Sequence, residues 1–380
     1  MSKKQSIFIL HFQPLEKFPP VMNLLDYLGG LHAVKVYVVS RKNNSGGVLS
    51  NYKGESCVHI TRTGLFADKG PLRLVNYFLF YLQSFILLLR YSPHSVLYYE
   101  TLSSWPAMWY KKIRRKTKLL AHYHEYNTIH EFYNSMKLMK WQHTMETKMY
   151  ASDYAWISHT NEVRLGKFIN DHALGRTNPD KFHLMPNYPG RSWLKKSPKK
   201  IGNGIVKLLY VGSLGYENMY VKELVAFVKK NNNRFSLDIY AYNIHADVKE
   251  MLAVLAADNI RYHGGCDYSA LPGIMENYDI GLVIYKSFSE NWINAVSNKV
   301  FEYLACGLDV WFSSDMLYTH RYIQEDFFPK VIAIDFAQLD KFDFEKAIGR
   351  NGISYKEPSY FYENVYPEIY RVMKEEDGKN

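Results

Sequence analysis

Cysteine is nearly absent from this chain: Cys57, Cys266 and Cys306 are widely separated and form no CxxC pattern. Their scarcity excludes a disulfide framework and a zinc knuckle, and it fits a reducing cytoplasm. No DxD motif occurs, and the HExxH pattern that His124 and Glu125 would open fails at Thr128, so no metal site is read from the sequence. A membrane-spanning run is lacking too. The most apolar stretch, Leu74–Leu89, is interrupted by Gln83 and Ser84 and falls short of the roughly 20 residues needed to cross a bilayer; it predicts a buried or interfacial helix. The amino-terminal MSKKQSIFILHFQP offers only Ile7–Leu10 as an apolar core, too short for a signal peptide, and reads as a first strand. The loop after it, Phe12–Pro20, has no glycine, which removes the dinucleotide fingerprint from that position.

What is present is a chain of 380 residues, too long for one compact core, so two domains are expected. A hydrophobic content of 47% is that of an ordinary globular protein. Aromatic content is high at 16%, with 32 tyrosines; tyrosine suits sugar sites and interfaces, but its abundance is read as a compositional habit. The net charge of +10 and pI near 9.1 point to anionic partners, whether phosphorylated substrates, anionic lipid headgroups or nucleic acid. The basic runs KKIRRKTK (111–118) and KKSPKK (195–200) accompany no nucleic-acid module, and no nucleic-acid partner is assigned.

Strand-like and helical runs alternate from the start: Ile7–His11, a helix over Val21–Leu31, Val34–Ser40, Val58–Ile60, a helix near 72–90, Ser95–Tyr99, a Trp-rich helix near 104–115, and Lys118–Tyr123. This alternation predicts a parallel sheet covered by helices, a Rossmann-like half. Residues 131–150 read as one long helix containing Glu146, and Pro186, Pro189 and Gly190 punctuate the end of the half. The basic stretch RSWLKKSPKKIGNG reads as a linker. A second strand, turn and helix follow in KLLYVGSLGYEN (207–218), where Gly212 lets the backbone approach a phosphate. The predicted domains are therefore 1–190 and 207–354, joined by a linker at 191–206. The last helical run, Tyr360–Lys374, contains Pro367, which requires a kink or a new helix.

The stretch Asn294–Val310, NAVSNKVFEYLACGLDV, passes from a polar loop into a helix and stops at Gly307 before the strand Val310–Phe312. Amides at the helix start, beside Ser297 and Asn298, can face a diphosphate. Lys299 can add a point charge, and Glu302 can accept hydrogen bonds from two vicinal hydroxyls. This is the outline of a sugar-nucleotide site.

SNKVFEYLACGLDV (297–310) resembles the donor-site signature of retaining GT-B glycosyltransferases of the GT4-like group. The resemblance implies two Rossmann-like domains facing across a cleft, with residues 355–380 packing back onto the first. It implies that Glu302 holds the ribose, that Gly212, Ser213, Ser297, Asn298 and Lys299 contact phosphates, and that Asn294 and His124 position the transferred sugar. His124, rather than His122, takes that role because it directly precedes an acid in HYHEYN. The family's phosphate-gripping Arg and Lys are replaced by Ser213 and Asn218, with Lys299 and Lys222 as substitutes. The first of its two glutamates becomes Asn294, and Glu290 is a shifted alternative. The implied activity is metal-independent, cofactor-free hexosyl transfer, with retention, from a nucleotide-diphosphate sugar to a glycan or lipid-linked acceptor in cell-surface or capsular polysaccharide synthesis. The implied location is cytoplasmic, at the inner face of an anionic membrane. The rival readings are a GT-B-fold nucleotide-sugar epimerase and a non-catalytic membrane-surface or partner-binding relative.

Overall fold

The computed structural model describes residues 5–43, 49–65, 72–195, 204–254, 258–349 and 352–374. The described residues of 1–46, 50–187 and 362–380 form one compact unit, and those of 47–49 and 188–361 another.

In the first unit, β1 (Ser6–His11), β2 (Lys35–Arg41), β3 (Val58–Thr63), β4 (Ser95–Tyr99), β5 (Lys118–Tyr123), β6 (Tyr154–His159) and β7 (Phe182–Leu184) make a parallel sheet in the order β3-β2-β1-β4-β5-β6-β7. Every residue of β4 is buried, as expected for an apolar run covered on both faces. The helices are α1 (Pro19–Gly30), α2 (Leu72–Tyr91), α3 (Thr101–Ile113), α4 (Ile129–Asn134), α5 (Lys137–Thr147) and α6 (Glu162–Asp171). The expected single helix over 131–150 is thus two. Ser135 is extended between them, and its hydroxyl donates to Phe132 O at 2.7 Å; serine competes for backbone groups in this way and ends the helix.

Four of the tyrosines, Tyr98, Tyr123, Tyr150 and Tyr154, surround one buried carboxyl. Glu146 on α5 is wholly buried, and its Oε1 accepts hydrogen bonds from Tyr98 at 2.6 Å and Tyr123 at 2.8 Å. Those hydroxyls in turn meet Tyr154 at 2.6 Å and Tyr150 at 3.0 Å. Burial pushes the Glu146 carboxyl up to about 7.

The second unit contains β8 (Val206–Val211), β9 (Phe235–Tyr240), β10 (Ile260–Tyr262), β11 (Ile280–Val283), β12 (Asp309–Ser313), β13 (Phe327–Phe328), β14 (Val331–Ile334) and β15 (Ser354–Tyr355). Six of these form a parallel sheet in the order β10-β9-β8-β11-β12-β14, and β13 pairs with β15. Its helices are α7 (Val221–Lys230), α8 (Ala246–Val254), α9 (Leu271–Met275), α10 (Glu290–Ile293), α11 (Asn298–Ala305) and α12 (Phe344–Ile348). Gly281 keys α11 to the sheet: the Tyr303 ring lies so close above it that any Cβ would penetrate the ring. In that position Tyr303 Oη accepts the Val211 N–H at 3.1 Å, which fixes α11 against the carboxyl end of β8.

The expected linker is shorter than its composition implied. Trp193 is buried with the core around Phe301, and Lys195 N donates to Ala305 O at 3.0 Å, so 191–195 belongs to the second unit. The remaining basic stretch, 196–203, and the tail 375–380 lie outside the described residues. Near the C-terminus a 3-10 turn at Tyr362–Asn364 precedes a new helix, Tyr366–Lys374. Pro367 sits in its first turn, where the missing N–H costs nothing. This helix completes the first unit: Ser95 Oγ donates to Met373 O at 2.6 Å, and Lys118 Nζ donates to Val372 O at 3.1 Å.

Candidate functional site

In open parallel sheets, ligands bind beyond the carboxyl ends of the strands where the order reverses. The second unit reverses between β8 and β11, and the first between β1 and β4.

At the β8–β11 point, the turn after β8 is built for close backbone approach. A Cβ at Gly212 would come within 3.1 Å of Tyr210 Oη, which already donates to Ser213 O at 2.6 Å. The turn is pinned to the continuation of β11, since Tyr220 N donates to Ile284 O at 2.9 Å and Lys286 N to Asn218 O at 2.8 Å. Ser297 caps α11, its Oγ accepting the Lys299 N–H at 3.4 Å. One turn on, Glu302 is buried, with Lys299 Nζ 2.5 Å from Oε2 and Asn298 Nδ2 2.5 Å from Oε1. The spacings i,i+3 and i,i+4 bring all three onto one helical face. Each carboxylate oxygen thus has one donor from its own helix. A carboxylate offers about four acceptor positions, so these two donors do not exhaust it, while Lys299 is already partly neutralised.

The remaining predicted residues occupy other environments. Asn294 ends α10, its Nδ2 donating to Glu290 O at 2.8 Å. Lys222 lies with its ammonium 4.0 Å over the Tyr216 ring. A cation that the sequence reading passed over is Lys286. Its Nζ donates to Tyr216 O at 3.3 Å and lies 3.5 Å from Glu223, which joins the loops after β8 and β11. Its signal was a lysine directly following the apolar run GLVIY. Tyr240, at the end of β9, is stacked on His263 with ring centroids 4.6 Å apart.

At the β1–β4 point of the first unit, a cavity of about 240 Å³ is lined by His11, Phe18, Tyr99, Glu100, Ser103 and His124 among others. His124 follows β5, its ring stacked 5.1 Å from Tyr99 and 6.0 Å from Phe18. It is buried, and Asn187 is the side chain placed to hydrogen-bond its ring. Burial first, then the neighbouring His122 and His11, holds it well below the usual imidazole range. The ring is therefore neutral near pH 7, with one donor and one acceptor nitrogen. Glu100, not singled out from sequence, positions this segment: its Oε1 accepts the His124 N–H at 2.7 Å. Burial, then Glu125, pushes the Glu100 carboxyl up to about 8. Its backbone holds φ at +61°, a costly state for a non-glycine residue and one that concentrates at functional sites.

No protein-family model matches the chain, and no curated protein matches it in sequence. Solved structures do. Sucrose-phosphate synthase from Thermosynechococcus elongatus is 13% identical with a TM-score of 0.62, covering 97% of this chain and 98% of that one. Anabaena HepE in complex with UDP-glucose is 9% identical with a TM-score of 0.63, covering 97% and 99%. UDP-GlcNAc 2-epimerase from Neisseria meningitidis bound to UDP-GlcNAc is 12% identical with a TM-score of 0.56, covering 97% and 99%. At these identities the likeness establishes the fold: two parallel-sheet α/β domains of the GT-B kind.

Proposed function

We propose that this chain is a glycosyltransferase that moves a hexose from a nucleotide-diphosphate sugar to a glycan or lipid-linked acceptor. The observation that carries the reading is the buried Glu302, held by Lys299 and Asn298 one turn inside α11, beside a backbone turn at Gly212 that a side chain would crowd. That HepE, of the same fold, is solved in complex with UDP-glucose supports the choice of donor class. In this reading Glu302 takes the ribose hydroxyls, while Lys299, Lys286, the Gly212–Ser213 backbone and the capped α11 terminus with Ser297 and Asn298 face the diphosphate. There, oriented dipoles and cations offset the charge that grows on the leaving group. His124 and Asn294 position the transferred sugar.

The transfer proceeds with retention and without a metal. The bond from the anomeric carbon to the diphosphate oxygen breaks, the acceptor oxygen bonds to the same carbon from the same face, and the departing phosphate takes the acceptor's proton. The product belongs to a cell-surface polysaccharide, made on the cytoplasmic side of the membrane. An epimerase reading is kept because an epimerase shares the fold. A thermal-shift screen of nucleotide sugars, followed by incubation of the stabilising donor with and without acceptor glycans, tests the proposal. Transfer to an acceptor is expected, with His124→Ala lowering kcat and leaving donor affinity nearly unchanged. Isomerised donor in the absence of acceptor selects the epimerase, and no stabilisation by any nucleotide sugar overturns both.

A further inference from the structure

The first unit carries a face that shares no residue with either crevice. The inner side of α2, with Tyr77, Phe80, Tyr81 and Leu88, belongs to the core. On its outer side Val75, Phe78, Leu82, Ile86 and Leu89 recur every three or four residues and remain exposed, Phe78 to 60% and Ile86 to 53%. A helix covering a soluble domain turns polar on that side; this one does not. The apolar stripe continues sideways into a groove of about 220 Å³ between α2 and α3, walled by Leu82, Phe85, Trp105, Pro106 and Trp109. Trp105 meets Tyr81 at 5.2 Å and, across on α5, Trp141 at 5.5 Å. Gln142 of α5 donates to Tyr81 Oη at 2.8 Å, so the three helices form one layer.

The charges on this layer have one sign. Helices α2, α3 and α5 contain Arg73, Arg90, Lys111, Lys112, Lys137 and Lys140, and a single acid, Glu146, which is wholly buried among tyrosines. Lys112 Nζ lies 4.9 Å over the Trp109 ring, and Lys140 Nζ lies 4.5 Å over Tyr133. The face is thus apolar and aromatic at its centre and cationic at its rim. A second copy would set like charges against each other, which is unfavourable. An anionic bilayer satisfies both parts: the aliphatic stripe enters the acyl boundary, indole rings sit at headgroup depth, and lysines and arginines extend to lipid phosphates.

We propose that the α2–α3–α5 face seats the first unit on an anionic lipid bilayer, with α2 lying in the plane of the interface. By length and composition α2 could cross a membrane, which the interrupted apolar run in the sequence did not suggest; because its inner side packs into the core of the unit, the helix is assigned to the plane of the interface. The proposal is independent of which reaction the crevices support.

The test is flotation of the full-length protein with vesicles of phosphatidylcholine alone or mixed with phosphatidylglycerol. Flotation is expected with the mixed vesicles, reversed by salt, together with a blue shift of tryptophan emission. The Leu82→Asp/Ile86→Asp variant changes exposed side chains only, and should keep the wild-type melting temperature while losing flotation. The Lys112→Glu/Lys140→Glu variant should lower the partition coefficient by about tenfold or more. Flotation of Leu82→Asp/Ile86→Asp equal to wild type, or no flotation with either vesicle, overturns the proposal. So does a wild-type dimer in solution that this variant dissociates without any vesicle binding, which assigns the face to a second copy.

Discussion

Replacing Glu302 separates two consequences that the geometry joins. Alanine there removes the partner of both Lys299 Nζ and Asn298 Nδ2 at a buried position. Breaking one side of a fully buried pair costs about 3–5 kcal/mol. The Lys299 side chain keeps 13% of its exposure and can turn toward water, so the loss in the ligand-free protein should be nearer to about 2 kcal/mol. Binding suffers separately. Two hydrogen bonds from vicinal hydroxyls to a carboxylate contribute about 1.5–3 kcal/mol each, so losing both raises Kd for the nucleotide sugar by roughly a hundredfold or more. Glu302→Gln retains one acceptor oxygen and should weaken binding by about tenfold, with a smaller stability loss. Glu290→Ala, at the exposed start of α10, should change either quantity by no more than about 0.5 kcal/mol. Urea unfolding gives the first quantity and titration calorimetry the second. Unaltered affinity in Glu302→Ala, or an equal loss in Glu290→Ala, would refute the assignment of Glu302 to the ribose.

Tyr303→Phe strands the Val211 N–H that Oη now accepts, and should lower stability by about 1–2 kcal/mol in urea unfolding. Gly281→Ala forces the Tyr303 ring itself to move and should cost about 2–3 kcal/mol, with donor affinity falling as α11 shifts; wild-type values for that variant would contradict the keying of α11 to the sheet. For pH, Glu146 is held near 7 against an ordinary value of 4.5. Over that window the folded state keeps a proton that the unfolded chain releases, so this group's contribution falls as pH rises from about 4.5 to 7, by roughly 3 kcal/mol. Glu146→Gln should flatten that part of the stability profile, and a slope identical to wild type would show that the carboxyl is already ionised.

The strands were legible because buried parallel strands are written as short apolar runs: Ser95–Tyr99 and Lys118–Tyr123 carry the same limits in sequence and in structure. The break between α4 and α5 was not, since apolar residues continue through it and the decision falls to one serine hydroxyl. The polar loop, helix and carboxylate around Glu302 could be read from spacing alone. That its own helix already supplies a donor to each oxygen could not, because this depends on where the Lys299 and Asn298 side chains settle. The network around Glu146 was hidden for another reason. Its hydroxyls come from Tyr98 and Tyr123, on two separate strands, and only the sheet order brings them to one point. Lys286 and Glu100 each stand just past an apolar strand, a signal that was present and passed over.

The helix Tyr366–Lys374 has a consequence for how the protein is made. The strands beginning at Ser95 and Lys118 are translated long before the carbonyls that receive their side chains, those of Met373 and Val372. The first unit is therefore completed only after the whole of 188–361 has been synthesised. A nascent chain stalled before residue 366 would carry all seven strands of the first unit's sheet but lack the helix whose carbonyls take up Ser95 and Lys118.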